Sequence, residues 1–175
     1  LVEFLQKLTF KYRRPLILKS PAHTGRLAVL LDLFPDAKFV HIHRDPYTVF
    51  QSTMHTWRAV KQFWGLQAGE VDEERILQDY VQVYDAFFAQ RHRLTERNFC
   101  EVRFEDLERD PIGQIRHVYH ALKLPAFEHV EPALGAYVRS LGAYTRNSFP
   151  SISPPMGERG AGAWSRSFEV WGYAR

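Results

Sequence analysis

Residues 40–52 read VHIHRDPYTVFQS, and the reading of this stretch decides the fold. Val40 and Ile42 alternate with His41 and His43, the two-residue period of a strand, here read as a buried one. Arg44 stands where the strand stops. Asp45 is a favoured helix N-cap, and Pro46 suits the first helical position. Ser52 follows about 9 Å along the helix axis from Pro46. An extended Arg44 reaching forward can share one anion with the Ser52 hydroxyl. A strand end facing a helix start is where open α/β sheets bind charged ligands.

Outward from this junction, strands and helices alternate. Before it, Leu1, Leu5, Leu8 and Tyr12 repeat at helical spacing, and Arg13-Arg14-Pro15 ends that helix. Leu16-Ile17-Leu18 reads as a short buried strand. Leu27, Leu30, Leu31 and Phe34 mark a helix, and Pro35-Asp36 turns the chain into the strand from Lys38 to His43. After the junction, Phe50, Thr53, Met54, Trp57, Val60 and Trp64 line one side of a helix that Gly65 to Gly69 interrupts. A long helix from Asp72 to Arg97 turns Ile76, Tyr80, Val83, Phe87 and Leu94 inward. Phe99 to Phe104 alternates as a third strand. Asp110-Pro111 opens another helix by the same cap chemistry, with Ile112, Ile115, Tyr119 and Leu122 as its buried stripe. Phe127 to Leu141 reads as helix. From Thr145 onward Pro and Gly dominate, Pro150 to Gly162 reads as a loop, and Trp164 to Tyr173 brings four aromatic residues. The pattern predicts an α/β fold, a parallel sheet flanked by helices, in a single domain over residues 1–175. Three strands are few for such a sheet, so a further strand is expected upstream of Leu1.

Composition narrows the class. The 175 residues are 45% apolar and 25% charged, ordinary for one globular domain. A net charge of +3 from scattered Lys and Arg suits an anionic ligand and argues against nucleic acid as the partner. One cysteine, Cys100, excludes an internal disulfide framework and fits a reducing, cytoplasmic setting. No run approaches a membrane span, and Leu1 to Phe10 lacks a signal-peptide layout.

Three groups of residues can carry chemistry. Lys19-Ser20-Pro21-Ala22-His23 leaves the first strand, placing a cation and a potential general base at one strand end. Alone, this is better read as a surface Lys and a loop His. Arg44 offers a planar fork matched to phosphate, with Ser52 adding one hydrogen bond. The competing reading pairs Arg44 with Asp45 or another carboxylate. Phe104, at the end of the third strand, can stack on a purine or pack in the core. The Gly-rich stretch from Gly157 to Trp164 carries Arg159, and backbone N–H groups in such a loop can approach a phosphate, although on local evidence alone it reads as a flexible surface loop. His41 and His43 share a strand face, but no further ligands stand at metal spacing, so no metal is expected. A Walker loop and a Gly-x-Ser-x-Gly elbow are both absent, and Cys100 has no activating cue.

Taken together, LKSPAH, FPDAKFVHIHRDPYTVFQS, RFEDLERDP, LKLP and AWSRSFEVWGY resemble the bacterial-type branch of the sulfotransferases that use 3′-phosphoadenosine-5′-phosphosulfate (PAPS). The resemblance runs from about residue 15 onward, with Arg44 to Ser52 its most specific part. It implies a P-loop-NTPase-like sulfotransferase fold that moves a sulfuryl group from PAPS to a hydroxyl or amine, with no metal. It implies that Arg44 and Ser52 hold the 3′-phosphate, that Phe104 stacks near the adenine, and that Arg159 and Gly160 close on the phosphate. His23 would be the catalytic base, with Ser20 the alternative for that place, and Lys19 would sit near the bridging oxygen. The acceptor stays open among small-molecule, carbohydrate and lipid classes. The family's 5′-phosphosulfate loop is not in this chain, and is expected upstream of Leu1. A nucleotide-binding module without catalysis and a kinase-like enzyme are the rival readings.

Overall fold

The computed structural model describes residues 1–64, 70–142 and 147–175. The interruption expected at Gly65 to Gly69, and Thr145, where the stretch rich in Pro and Gly begins, lie outside these residues. The elements run α1 (Val2–Tyr12), α2 (Leu27–Leu33), β1 (Phe39–His43), α3 (Pro46–Trp64), α4 (Glu73–Gln90), β2 (Phe99–Arg103) and α5 (Phe104–Arg109). They continue with α6 (Pro111–Ala121), α7 (Phe127–Ser140), α8 (Pro154–Ala163) and α9 (Ser165–Trp171). Short 3₁₀ turns cover Pro21–Arg26 and Arg91–Arg93.

Helix starts follow the cap chemistry written in the sequence. Asp45 accepts hydrogen bonds from both the backbone N–H and the hydroxyl of Thr48, each at 2.7 Å. Asp72 accepts the Arg75 N–H at 3.1 Å, and Asp110 accepts the Gly113 N–H at 2.9 Å. Each cap satisfies an N–H that the first helical turn leaves without a partner.

β1 and β2 pair in parallel, with Phe39 opposite Phe99 and His43 opposite Arg103. Parallel strands need a crossover, and α3 and α4 supply it. One sheet face carries Phe39, His41, His43, Phe99 and Glu101, and packs on an aromatic core that includes Phe87 and Trp171. On the other face Cys100 and Val102 pack against Val118 of α6 and Leu122, which caps that helix. β1, expected to be a buried strand, is buried on one face only. Its histidines are the buried residues, at 8% exposure each, while Val40 and Ile42 are 46% and 49% exposed. Alternation fixes which residues share a face but not which face is covered, and here the aromatic rings of α4 and α9 cover the histidine side.

Other expectations also change. Leu16 to Leu18 forms no strand; Ile17 is 97% exposed. Strand formation needs a ladder partner, and none is present among the described residues. The stripe on α3 is buried only at Phe50 and Met54, whereas Trp57, Val60 and Trp64 are exposed, because periodicity does not say how far the packing neighbour extends. α4 stops at Gln90 and not at Arg97. Leu94 is buried as expected, but from an extended residue after the 3₁₀ turn, with Arg91 stacked over Phe99 at 3.8 Å. The supposed loop from Pro150 to Gly162 contains α8, which Pro residues open at its first positions. Gly160 is buried in α8 beneath the Trp164 indole, where a Cβ would lie 2.6 Å from the ring. A glycine read as loop freedom is a packing residue in a helix.

Candidate functional site

Both parallel strands deliver a residue at their carboxyl ends. Arg44 follows β1 and Phe104 opens α5 directly after β2. The Arg44 guanidinium carbon sits 4.2 Å from the centre of the Phe104 ring. Among the described residues Arg44 makes no ion pair with a carboxylate, and the Asp45 side chain is engaged by Thr48. A cation on an aromatic face keeps its N–H donors free for an anion, because the ring attracts it through its quadrupole and accepts no in-plane hydrogen bond. Ser52 lies two helical turns along α3 and is half-buried.

His23 belongs to the 3₁₀ turn, which is fastened to α4 by Gln90. The Gln90 amide accepts the Ala28 N–H at 2.7 Å and donates to the Gly25 carbonyl at 3.2 Å. The His23 backbone N–H bonds the Ser20 carbonyl at 3.0 Å, and its ring Nδ1 is buried with no hydrogen-bond partner among the described residues. Lys19 is exposed just before the turn. No described contact joins Lys19 or His23 to Arg44. Arg159 lies on α8 and pairs with Glu74 of α4, while the Tyr47 hydroxyl donates to the Gly157 carbonyl at 3.0 Å. That bond seats α8 against the first turn of α3.

Beneath Arg44 lies a polar network that sequence reasoning did not assemble. His41 Nδ1 is 3.1 Å from Glu101, whose carboxylate also accepts the Trp171 indole N–H at 3.2 Å. The His43 ring stacks on Trp171 at 5.1 Å between centroids, with 11° between planes. His43 Nδ1 is 3.1 Å from the Tyr173 hydroxyl, which donates to Glu105 at 2.9 Å. A phenol has one proton and a carboxylate only accepts, so His43 must be the donor to Tyr173, with its proton on Nδ1. Burial, and then the neighbouring charge of His41, push the His43 pKa below 6.5, which favours that neutral form. For Glu105, burial pushes the pKa up. Hydrogen bonds from its own backbone N–H, Tyr173 and the Asp45 N–H outweigh burial and hold it below its ordinary value. His41 thus hydrogen-bonds within the sheet, to Glu101 of β2, and His43 bonds outside it, to Tyr173. Among the described residues no three His, Cys, Asp or Glu side chains gather as a metal site. Glu101, Glu105 and Tyr173 gave no sequence signal of their own. The aromatic stretch Trp164 to Tyr173 was the one visible hint.

The sequence profile of the sulfotransferase family matches residues 2–129. The chain belongs to the sulfotransferase family. It is 40% identical over 151 residues to the omega-hydroxy-beta-dihydromenaquinone-9 sulfotransferase Stf3 of Mycobacterium bovis, and equally to that of Mycobacterium tuberculosis. Each alignment covers 85% of this chain and 39% of the relative, so this sulfotransferase-family chain spans about two fifths of their length. The crystal structure of sulfotransferase STF9 from Mycobacterium avium superposes with a TM-score of 0.72 over 87% of this chain and 41% of that one. At 20% identity this likeness shows the fold: the α/β sulfotransferase fold with its parallel strands flanked by helices. No helix among the described residues of this sulfotransferase-family chain is long and apolar enough to cross a membrane.

Proposed function

We propose that this protein acts in sulfuryl transfer from PAPS to the hydroxyl of a lipid acceptor. The observation that carries the reading is Arg44, held over Phe104 at the carboxyl end of β1 with its donors unclaimed by any described carboxylate. When bound, PAPS supplies an activated sulfuryl group and a phosphate leaving group. Arg44 would fork onto the 3′-phosphate, Ser52 would add one hydrogen bond, and Phe104 would offer a ring to the adenine. Arg159, shared with Glu74, would border the same phosphate from α8, while Gly160 is buried under Trp164 and would serve only to seat that helix. His23 would take the acceptor proton, and Lys19 would offset charge on the leaving phosphate. Catalysis of this kind rests mainly on positioning and charge stabilisation. The lipid class follows from the relatives, whose named acceptor is a hydroxylated menaquinone. Exposed Trp57, Phe63 and Trp64 offer apolar surface suited to such a molecule.

Calorimetry with adenosine 3′,5′-bisphosphate and adenosine 5′-phosphate tests the clamp. The bisphosphate should bind more tightly, and Arg44→Ala should weaken it by about 10- to 100-fold, the worth of one charged hydrogen-bonding group. Equal binding of the two nucleotides by the unmodified protein would remove the 3′-phosphate reading.

A further inference from the structure

One carboxylate–phenol pair touches the chain on both sides of Arg44. The Tyr173 hydroxyl donates to Glu105, accepts from the His43 ring, and lies 3.5 Å from the His43 carbonyl oxygen. The other Glu105 oxygen accepts the Asp45 N–H at a long 3.5 Å. His43 and Asp45 are the residues immediately before and after Arg44, and Glu105 immediately follows Phe104, the ring on which Arg44 rests. Arg103 closes the group, with its Nε 3.4 Å from Glu105 and its guanidinium carbon 4.3 Å from the Tyr173 ring centre. Tyr173 and His43 are buried, so these bonds are sheltered from competing water. The segment bearing Tyr173 lies outside residues 2–129, which the family profile matches.

We propose that Tyr173 and Glu105 are positioning residues for Arg44, fixing the β1–α3 turn so that the guanidinium meets the 3′-phosphate in one orientation. This rests on the 3′-phosphate reading above. Neither residue touches the ligand in this scheme; each acts through the backbone that carries Arg44. Their coupling is reciprocal. A ligand that prefers the fixed turn must in return tighten the hold on Tyr173. The C-terminal helix is thereby linked to nucleotide binding, although its own residues are not in the clamp.

The test compares adenosine 3′,5′-bisphosphate with adenosine 5′-phosphate, using Tyr173→Phe, Arg44→Ala and the double variant. Tyr173→Phe keeps the ring and removes only the hydroxyl. It should weaken the bisphosphate about 5- to 20-fold and leave the monophosphate unchanged, and the effect should disappear in the Arg44→Ala background. A merely structural role would weaken both nucleotides alike, and that result overturns the proposal, as does an unchanged bisphosphate affinity. If the unmodified protein shows no preference for the bisphosphate, the 3′-phosphate reading itself falls, and this inference with it. Hydrogen exchange of the unmodified protein gives a second readout that needs no variant. Adding the bisphosphate should slow exchange across residues 165–173 more than adding the monophosphate does, and equal protection by the two nucleotides would overturn the link.

Discussion

His43 is an imidazole enclosed by Trp171, Tyr173 and its neighbour His41, and burial is the main reason it resists a proton. Its folded pKa lies below the ordinary 6.5 that an unfolded chain would show. Between those two values the unfolded state binds a proton that the folded state does not, so stability falls as pH drops below about 6.5. Glu101 and Glu105 act in the same direction at lower pH, because both carboxyls sit below their ordinary value and lose their hydrogen-bonded form on protonation. His43→Asn should flatten the stability profile between about pH 5 and 7, since an amide donor replaces Nδ1–H without titrating. Urea midpoints measured across that range check this, and an unchanged slope would take His43 out of the pH response. Tyr84, buried beside His41, has its hydroxyl pushed up to about 12, so it stays protonated throughout.

Helix α8 shows how an element can hide in a sequence. Gly157, Gly160 and Gly162 have the composition of a loop, yet Pro154 and Pro155 preset a helix start and Met156 anchors it in the core. Gly160→Ala would raise intrinsic helix propensity by about 1 kcal/mol. The added methyl would meet the buried Trp164 ring at 2.6 Å, so the net effect should be destabilisation by about 1–3 kcal/mol. Denaturant unfolding measures it, and a stabilised variant would show that the indole yields. Signals local to the chain were legible: the Asp45 and Asp110 caps and the β1–α3 junction all stand where residue type placed them. Properties set by distant residues were not. Whether Leu16 to Leu18 becomes a strand depends on a partner, and whether His41 or Ile42 faces the core depends on Trp171. Arg44 and Phe104, proposed to face the anion, stood out in the sequence because each follows directly on a strand. The Glu105–Tyr173 support did not, because its members are 68 residues apart.

At the scale of the molecule, Trp164 joins the largest pieces. Its ring meets Tyr47 and Phe50 of α3 and Tyr80 of α4, and its indole N–H donates to the Leu77 carbonyl at 3.5 Å. Trp164→Ala should cost about 3–5 kcal/mol, the usual range for emptying a buried aromatic site. Because the side chain bridges three helices, the loss should appear equally in far-ultraviolet and near-ultraviolet circular dichroism. Separate transitions for the two signals would show that α8 and α9 unfold independently of α3 and α4.

The bond between His43 and Tyr173 spans 130 residues of chain, and the β1–β2 pairing spans 60. A ribosome adding about 5–20 residues per second exposes β1 many seconds before its aromatic cover exists. Through that interval the two strand histidines are wet and open to wrong partners. Assembly is therefore ordered by synthesis: the sheet cannot close over its histidines until Trp171 and Tyr173 have emerged. Contacts of such long sequence separation form late, and until they do the nascent chain, more than the finished one, is a natural client for a chaperone.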